Sequence, residues 1–160
     1  MSKIKTINEL KGIVEELKTQ NKKIVTTNGV FDIIHIGHIR YLQEAKKLGD
    51  ILIIGINSDS SVKRIKGQER PINNENDRVE VLTALQCVDY VTIFNENNPI
   101  IFLKAIKPNI HVKGGDYNMS QIIEKDTVEE NKGEVMLIPE VEGYSTTDFI
   151  KKIIELYKSN

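Results

Sequence analysis

The chain has one cysteine, Cys87, no tryptophan and only four prolines in 160 residues. A lone cysteine excludes an internal disulfide and fits a reducing cytosol, so a cytoplasmic location is expected. No apolar run approaches the ~20 residues of a membrane-spanning helix. Met1-Ser2-Lys3-Ile4-Lys5-Thr6 leads into an amphipathic segment rather than an apolar one, so no signal peptide is expected. Neither sign of charge is in excess: 22 basic and 23 acidic residues leave a net charge of −1. That balance lacks the electrostatic footprint of a nucleic-acid binder. Short lysine pairs such as Lys46-Lys47 and Lys151-Lys152 read as solvated faces. Repeats and low-complexity tracts are absent. So is a G-x-x-x-x-G-K-[ST] loop, which excludes a P-loop kinase.

What is present is alternation. Ile7, Leu10, Ile13, Val14 and Leu17 share one face and predict a helix over Ile7–Leu17. Short apolar strands are predicted at Ile24–Thr27, Ile51–Ile56, Tyr90–Phe94, Ile110–Val112 and Glu134–Ile138. Between and after them, helices are predicted at Ile36–Leu48, Glu75–Leu85, Pro99–Ile106, Gln121–Glu130 and Thr146–Tyr157. Gly49 is expected to end the second helix as a left-handed C′ residue. Asn57-Ser58-Asp59 carries capping residues for a short helix, and Lys63–Pro71 reads as a polar, flexible loop. Ile51 to Ile56 is apolar without a break apart from Gly55, the mark of a strand buried on both faces. Strands alternating with helices predict an α/β, Rossmann-like parallel sheet covered on both faces. No linker divides the chain. One domain over 1–160 is expected, with an N-terminal helical segment at 1–21 and a core at 22–160.

Ligands in such sheets bind beyond the carboxyl ends of the strands. Those ends carry Asn28-Gly29-Val30-Phe31-Asp32, Asn57-Ser58-Asp59, Lys113-Gly114-Gly115-Asp116-Tyr117 and Glu142-Gly143-Tyr144-Ser145-Thr146-Thr147. One polar tip would be an ordinary turn, but four on one edge describe a site. The first tip leads into His35-Ile36-Gly37-His38 at a helix start. Free N–H groups and the helix dipole favour an anion there, and two imidazoles three residues apart share a face. The pair suits a polyphosphate. His-x-x-His also suits zinc, but such a site needs further ligands, and His111 and Cys87 stand isolated in apolar runs. No metal ligand set is expected.

These segments resemble the nucleotidyltransferases of the cytidylyltransferase superfamily. Ser145-Thr146-Thr147 is similar to that group's second phosphate motif, with Tyr144 in place of its usual isoleucine. Thr27 to Asp32, Asn57-Ser58-Asp59, Lys63 to Gly67, Arg70-Pro71-Ile72 and Val112 to Tyr117 resemble most the adenylyltransferases that make ADP-heptose, a lipopolysaccharide precursor, from heptose 1-phosphate. The resemblance runs from about Lys22 to Ile153. Relatives acting on glycerol 3-phosphate with CTP often carry an arginine where this chain has Pro139-Glu140-Val141-Glu142, which weighs against that alternative. A regulator that binds nucleotide without turnover is a second alternative. Class I aminoacyl-tRNA synthetases share the histidine turn but are much longer.

The resemblance implies ATP and a sugar 1-phosphate as substrates, with Mg²⁺ entering on the nucleotide. It implies catalytic roles for His35, His38, Lys66, Ser145 and Thr146: the histidines and a mobile Lys66 meeting the triphosphate, the other two holding its outer phosphates. Nucleotide contacts are expected from Asn28, Gly29, Val30, Phe31, Gly37, Lys113, Gly115, Asp116 and Thr147. Asp32 and Asp59 are expected at sugar hydroxyls or capping N–H groups, and Arg78 at a phosphate or on the surface. A homodimer and a separate sugar kinase in the same pathway are compatible with the resemblance.

Overall fold

A computed structural model describes residues 2–115, 122–139 and 143–158. The first helix, α1 (Ile7–Thr19), starts at a capping box. Thr6 Oγ1 accepts the Glu9 N–H at 3.2 Å, and the Glu9 carboxylate accepts the Thr6 N–H at 2.8 Å. There follow β1 (Ile24–Gly29), α2 (Ile36–Lys47), β2 (Ile51–Asn57), α3 (Asp59–Lys66), α4 (Glu75–Thr83), β3 (Tyr90–Phe94), α5 (Ile100–Ile106), β4 (Ile110–Gly114), α6 (Lys125–Glu130), β5 (Glu134–Ile138) and α7 (Thr146–Tyr157). The sheet is parallel throughout, in the order β3-β2-β1-β4-β5. The chain steps outward from β1 to β3, then crosses back to place β4 on the other side of β1. The topological switch therefore lies between β1 and β4, and their carboxyl ends open the crevice where ligands of this architecture bind.

Side-chain alternation along the strands builds two cores. Leu52, Ile54 and Ile56 of β2 join Val25, Leu42, Leu82 and Val112 on the α2 and α4 face. Ile53 points the other way, with Ile24, Leu10, Val14, Phe102 and Leu103 under α1 and α5. The uninterrupted apolar stretch of β2 is thus buried on both sides, as expected. None of the described helices is long and apolar enough to cross a membrane.

Several local expectations change. Lys63–Pro71 is not a loop throughout, because α3 continues to Lys66. Its polar side chains are held from outside the helix: Ser61 Oγ donates to the Glu96 carbonyl at 2.7 Å and Arg64 Nε to Asn97 Oδ1 at 2.8 Å. Gln121 lies outside the described residues, and the helix expected from there is regular only over α6. Gly49 is required for space rather than for a left-handed turn, since a Cβ there would stand 2.7 Å from Val25 Cγ2 and 2.8 Å from the Lys23 carbonyl oxygen. The segment before α1 bridges to the sheet edge: Lys5 N–H donates to the Val91 carbonyl and Val91 N–H to the Lys3 carbonyl, both at 3.0 Å, beside β3.

His111 of β4 is fully buried on the α1 and α5 face, 2.9 Å from Thr26 Oγ1 through its Nδ1. Burial, and secondarily the Lys113 charge, pulls its pKa down to about 3. The unfolded chain, with a histidine near 6.5, binds the proton that the folded chain refuses. Stability from this group is complete above pH 6.5 and is lost as pH falls towards 3, at up to ~1.4 kcal/mol per pH unit. Urea midpoints at pH 7.5, 6 and 5 should therefore decline, and His111→Leu should flatten the decline. An unchanged slope in the variant would place the pH dependence elsewhere.

Candidate active site

At the switch point the tips enclose a cleft of about 260 Å³. Its walls are the β1 tip from Asn28 to Phe31, the start of α2 with His35, Gly37 and His38, then Tyr41, Gly114, and Tyr144 to Thr146 before and within α7. Residues far apart in the chain converge here, as the strand-end rule requires.

His35 is the N-cap residue of α2, with extended backbone (φ −138°, ψ 172°), and its side chain does not cap the helix. The first-turn N–H groups therefore lack a side-chain cap, which suits an incoming anion. The His35 and His38 rings stack with centroids 3.9 Å apart and planes 28° apart. Burial, and then the neighbouring His35, pulls the His38 pKa down to about 4. His38 is thus neutral at pH 7, which lets two imidazoles stack without charge repulsion. Its Nδ1 is buried and has no hydrogen-bond partner among the described residues. Phe31 leans on the other side of His38 at 5.3 Å, and Phe149 of α7 lies parallel to His35 at 5.6 Å.

Gly37 makes the histidine pair possible. A Cβ at this position would come within 3.0 Å of His35 Nδ1 and 3.1 Å of Tyr144 Cβ. Gly37→Ala should displace the His35 ring and Tyr144 while helping the helix itself by up to about 1 kcal/mol. The expected result is a loss of about tenfold or more in kcat with Tm unchanged or raised. A variant with wild-type kcat would remove this explanation of the glycine. Gly29 has a related role: a Cβ there would meet the Phe31 ring at 3.0 Å, so the glycine admits that ring as well as a ligand. Phe31 itself occupies the left-handed region at φ 48°.

Tyr41 lines the cleft and was not singled out from the sequence. Its hydroxyl lies 2.6 Å from Thr27 Oγ1 and donates to the Val112 carbonyl at 3.0 Å, joining β1 to β4 across the switch point. Burial pushes its pKa well above the usual tyrosine value, so it stays protonated. Its spacing was the available signal, since it follows His38 by three residues on the same helical face.

Other expected site residues lie elsewhere. Arg78 is fully buried rather than on the surface, and its donors all face protein. Nε donates to the Asn73 carbonyl at 3.1 Å, Nη1 to the Val30 carbonyl at 2.6 Å, and Nη2 to the Asn57 carbonyl and Asp59 Oδ1, both at 2.8 Å. The guanidinium clamps the tips of β1 and β2 and the segment before α4, and Asp59 pairs with it. Asp32 is likewise occupied by backbone N–H groups and Arg70. Lys113 Nζ pairs with buried Glu124 at 2.8 Å and donates to Asn28 Oδ1 at 3.2 Å instead of facing the cleft. Lys66 is exposed at the last turn of α3 and Thr147 is exposed in α7, and neither lines the cleft. Gly115 has φ 114° and donates its N–H to the Ile138 carbonyl at 3.2 Å. Asp116 and Tyr117 lie outside the described residues.

The profile of the Cytidylyltransferase-like family matches residues 26–154, which takes in every wall of this cleft. The chain belongs to that family. Among relatives of the cytidylyltransferase-like domain, bifunctional protein HldE of Geobacter metallireducens is 49% identical over 156 residues, covering 98% of this chain and 32% of the relative. Bifunctional protein HldE of Aliarcobacter butzleri is 49% identical over 159 residues, covering 99% of this chain and 33% of the relative. The chain thus spans about a third of the length of these curated relatives. A lipopolysaccharide core biosynthesis protein from Thermoplasma volcanium superimposes with a TM-score of 0.63 at 31% identity, over 78% of this chain and 99% of that one. A pantoate-beta-alanine ligase from Francisella tularensis, solved with beta-gamma ATP and beta-alanine, shares the fold (TM-score 0.63, 19% identity, 100% of this chain and 80% of that one). The domain is a nucleotidyltransferase of this family.

Proposed function

We propose that the domain transfers the AMP moiety of ATP to a sugar 1-phosphate, heptose 1-phosphate in particular, giving an ADP-sugar and pyrophosphate. The observation that carries the reading is the stacked His35–His38 pair at an uncapped helix start, facing Ser145 and Thr146 at a second helix start across one cleft. A phosphate oxygen of the sugar attacks the α-phosphorus in line, a P–O bond forms, and the bond to the β-phosphate breaks. The attacking oxygen is already anionic, so no general base or covalent nucleophile is required. Catalysis reduces to positioning and charge stabilisation.

His35 and His38 donate from ring N–H groups to the phosphates as charge shifts towards the leaving group. The α7 start receives the outer phosphates on its N–H groups. Ser145 Oγ accepts the Asp148 N–H at 3.1 Å and donates to the Asp148 carboxylate at 2.7 Å, so it must exchange that partner to donate to phosphate. Lys66, immediately before Gly67 (φ 98°), supplies the mobile cation. Among the described residues, no carboxylate lines the cleft and no cluster of three or more metal-binding side chains occurs. That lining fits Mg²⁺ held by phosphate oxygens and water, where it neutralises charge on the triphosphate.

Pyrophosphate release measured with four nucleoside triphosphates against a panel of sugar phosphates tests the proposal. ATP with heptose 1-phosphate should be fastest. Faster turnover of CTP with every acceptor would move the assignment to cytidylyl transfer.

A further inference from the structure

We propose that Asp32 is a positioning residue that pins the loop after Lys66 to the histidine-bearing turn and thereby sets how Lys66 can approach the cleft. Its side chain is 1% exposed. One carboxylate oxygen accepts the Asn73 N–H at 2.8 Å, both lie 3.0 Å from the Ile72 N–H, and the other lies 2.9 Å from Arg70 Nε. The Asp32 carbonyl accepts from Asn73 Nδ2 at 2.6 Å. A carboxylate so enclosed has little left to offer a sugar hydroxyl. Arg78 ties the same two segments from beneath, through the carbonyls of Val30 and Asn73.

The consequence follows from chain reach. Asp32 adjoins Phe31 of the cleft wall and precedes His35 by three residues. On the loop side, Arg70 follows Lys66 by only four residues, a span of at most ~14 Å at full extension. The tether is shortened further by a turn in which the Arg70 N–H donates to the Gly67 carbonyl at 3.1 Å. Residues 67–69 are exposed, and a Cβ at Gly67 would meet nothing within 4 Å. Lys66 is therefore held between α3 on one side and, four residues on, an anchor fixed to the histidine turn, with only the exposed 67–69 segment between them. The catalytic part of this proposal rests on the adenylyl-transfer reading above; the anchor itself does not.

Two measurements separate the parts. Trypsin cutting after Lys66 in substrate-free protein reads the anchor alone, and Asp32→Asn, which turns an acceptor oxygen into a donor facing Arg70 and Ile72, should accelerate it severalfold. In steady state Asp32→Asn should lower kcat by ~10- to 100-fold with KM for ATP within about threefold, because misplacement of about 1 Å acts on the transition state. In a Lys66→Ala background the same substitution should cost less than about threefold, since the two act through one element. Arg70→Gln cuts the pin from the other side and decides the matter if Asp32→Asn does not fold. Unchanged trypsin cutting in both variants, or losses that multiply fully in the double variant, would overturn the proposal. Wild-type protein inactive with every donor and acceptor would sink the adenylyl-transfer reading, and the trypsin comparison would then decide the anchor alone.

Discussion

His38→Ala should lower kcat by about 10²–10³ while the fold survives, the loss expected when one preorganised donor to developing charge is removed. The ring is partly buried, and its Nδ1 has no partner among the described residues, so alanine orphans no protein group through that atom. What disappears is a neutral donor packed against His35 and Phe31, whose burial holds its pKa down at about 4. Because neutrality is set by burial rather than by a carboxylate partner, lowering pH to 5.5 should leave this ring neutral in the empty site. Single-turnover rates with ATP and sugar phosphate, compared with Tm, read the two effects apart. Elemental analysis covers the other chemistry open to a His-x-x-His pair: stoichiometric zinc in the wild type that vanishes with His38 would remove the phosphate-donor role.

Arg78→Met should destabilise the domain by about 3 kcal/mol or more, because it strips three carbonyls of a buried charged donor, each such loss costing ~1–3 kcal/mol where water cannot replace it. Methionine keeps the volume but leaves the carbonyls of Val30, Asn57 and Asn73 without their donor, and it leaves Asp59 Oδ1 without its ion pair. Urea denaturation should show a lower midpoint with little change in m. A shift below ~1 kcal/mol would mean that water replaces the guanidinium at little cost, contrary to its complete burial. Kinetics at a temperature where the variant is folded should also suffer, because the clamp holds the tips of β1 and β2.

The sequence by itself determined the fold class, the strands and the location of the site. The unbroken apolar run of β2 permits only a strand covered on both faces, and alternation with amphipathic helices permits only parallel crossovers. Glycines, histidines and hydroxyls at strand ends then converge, because every parallel strand ends on the same edge. His35, His38, Gly37 and Ser145 were legible for that reason: their chemistry depends on where an element begins, and element starts are written locally.

Tertiary structure alone decided the fates of Asp32, Asp59, Arg78 and Lys113. A charged residue near a strand tip reads the same from sequence whether it faces substrate or a buried partner. The choice depends on residues distant in the chain: Asp32 on 70–73, Lys113 on Glu124, and Arg78 on Val30 and Asn57. The same holds for Gly49, where a Cβ would meet Lys23 and Val25. Burial of a charge is worthwhile only when donors and acceptors from several segments arrive together. That condition is met only after the sheet has formed, so no local pattern in the sequence announces it.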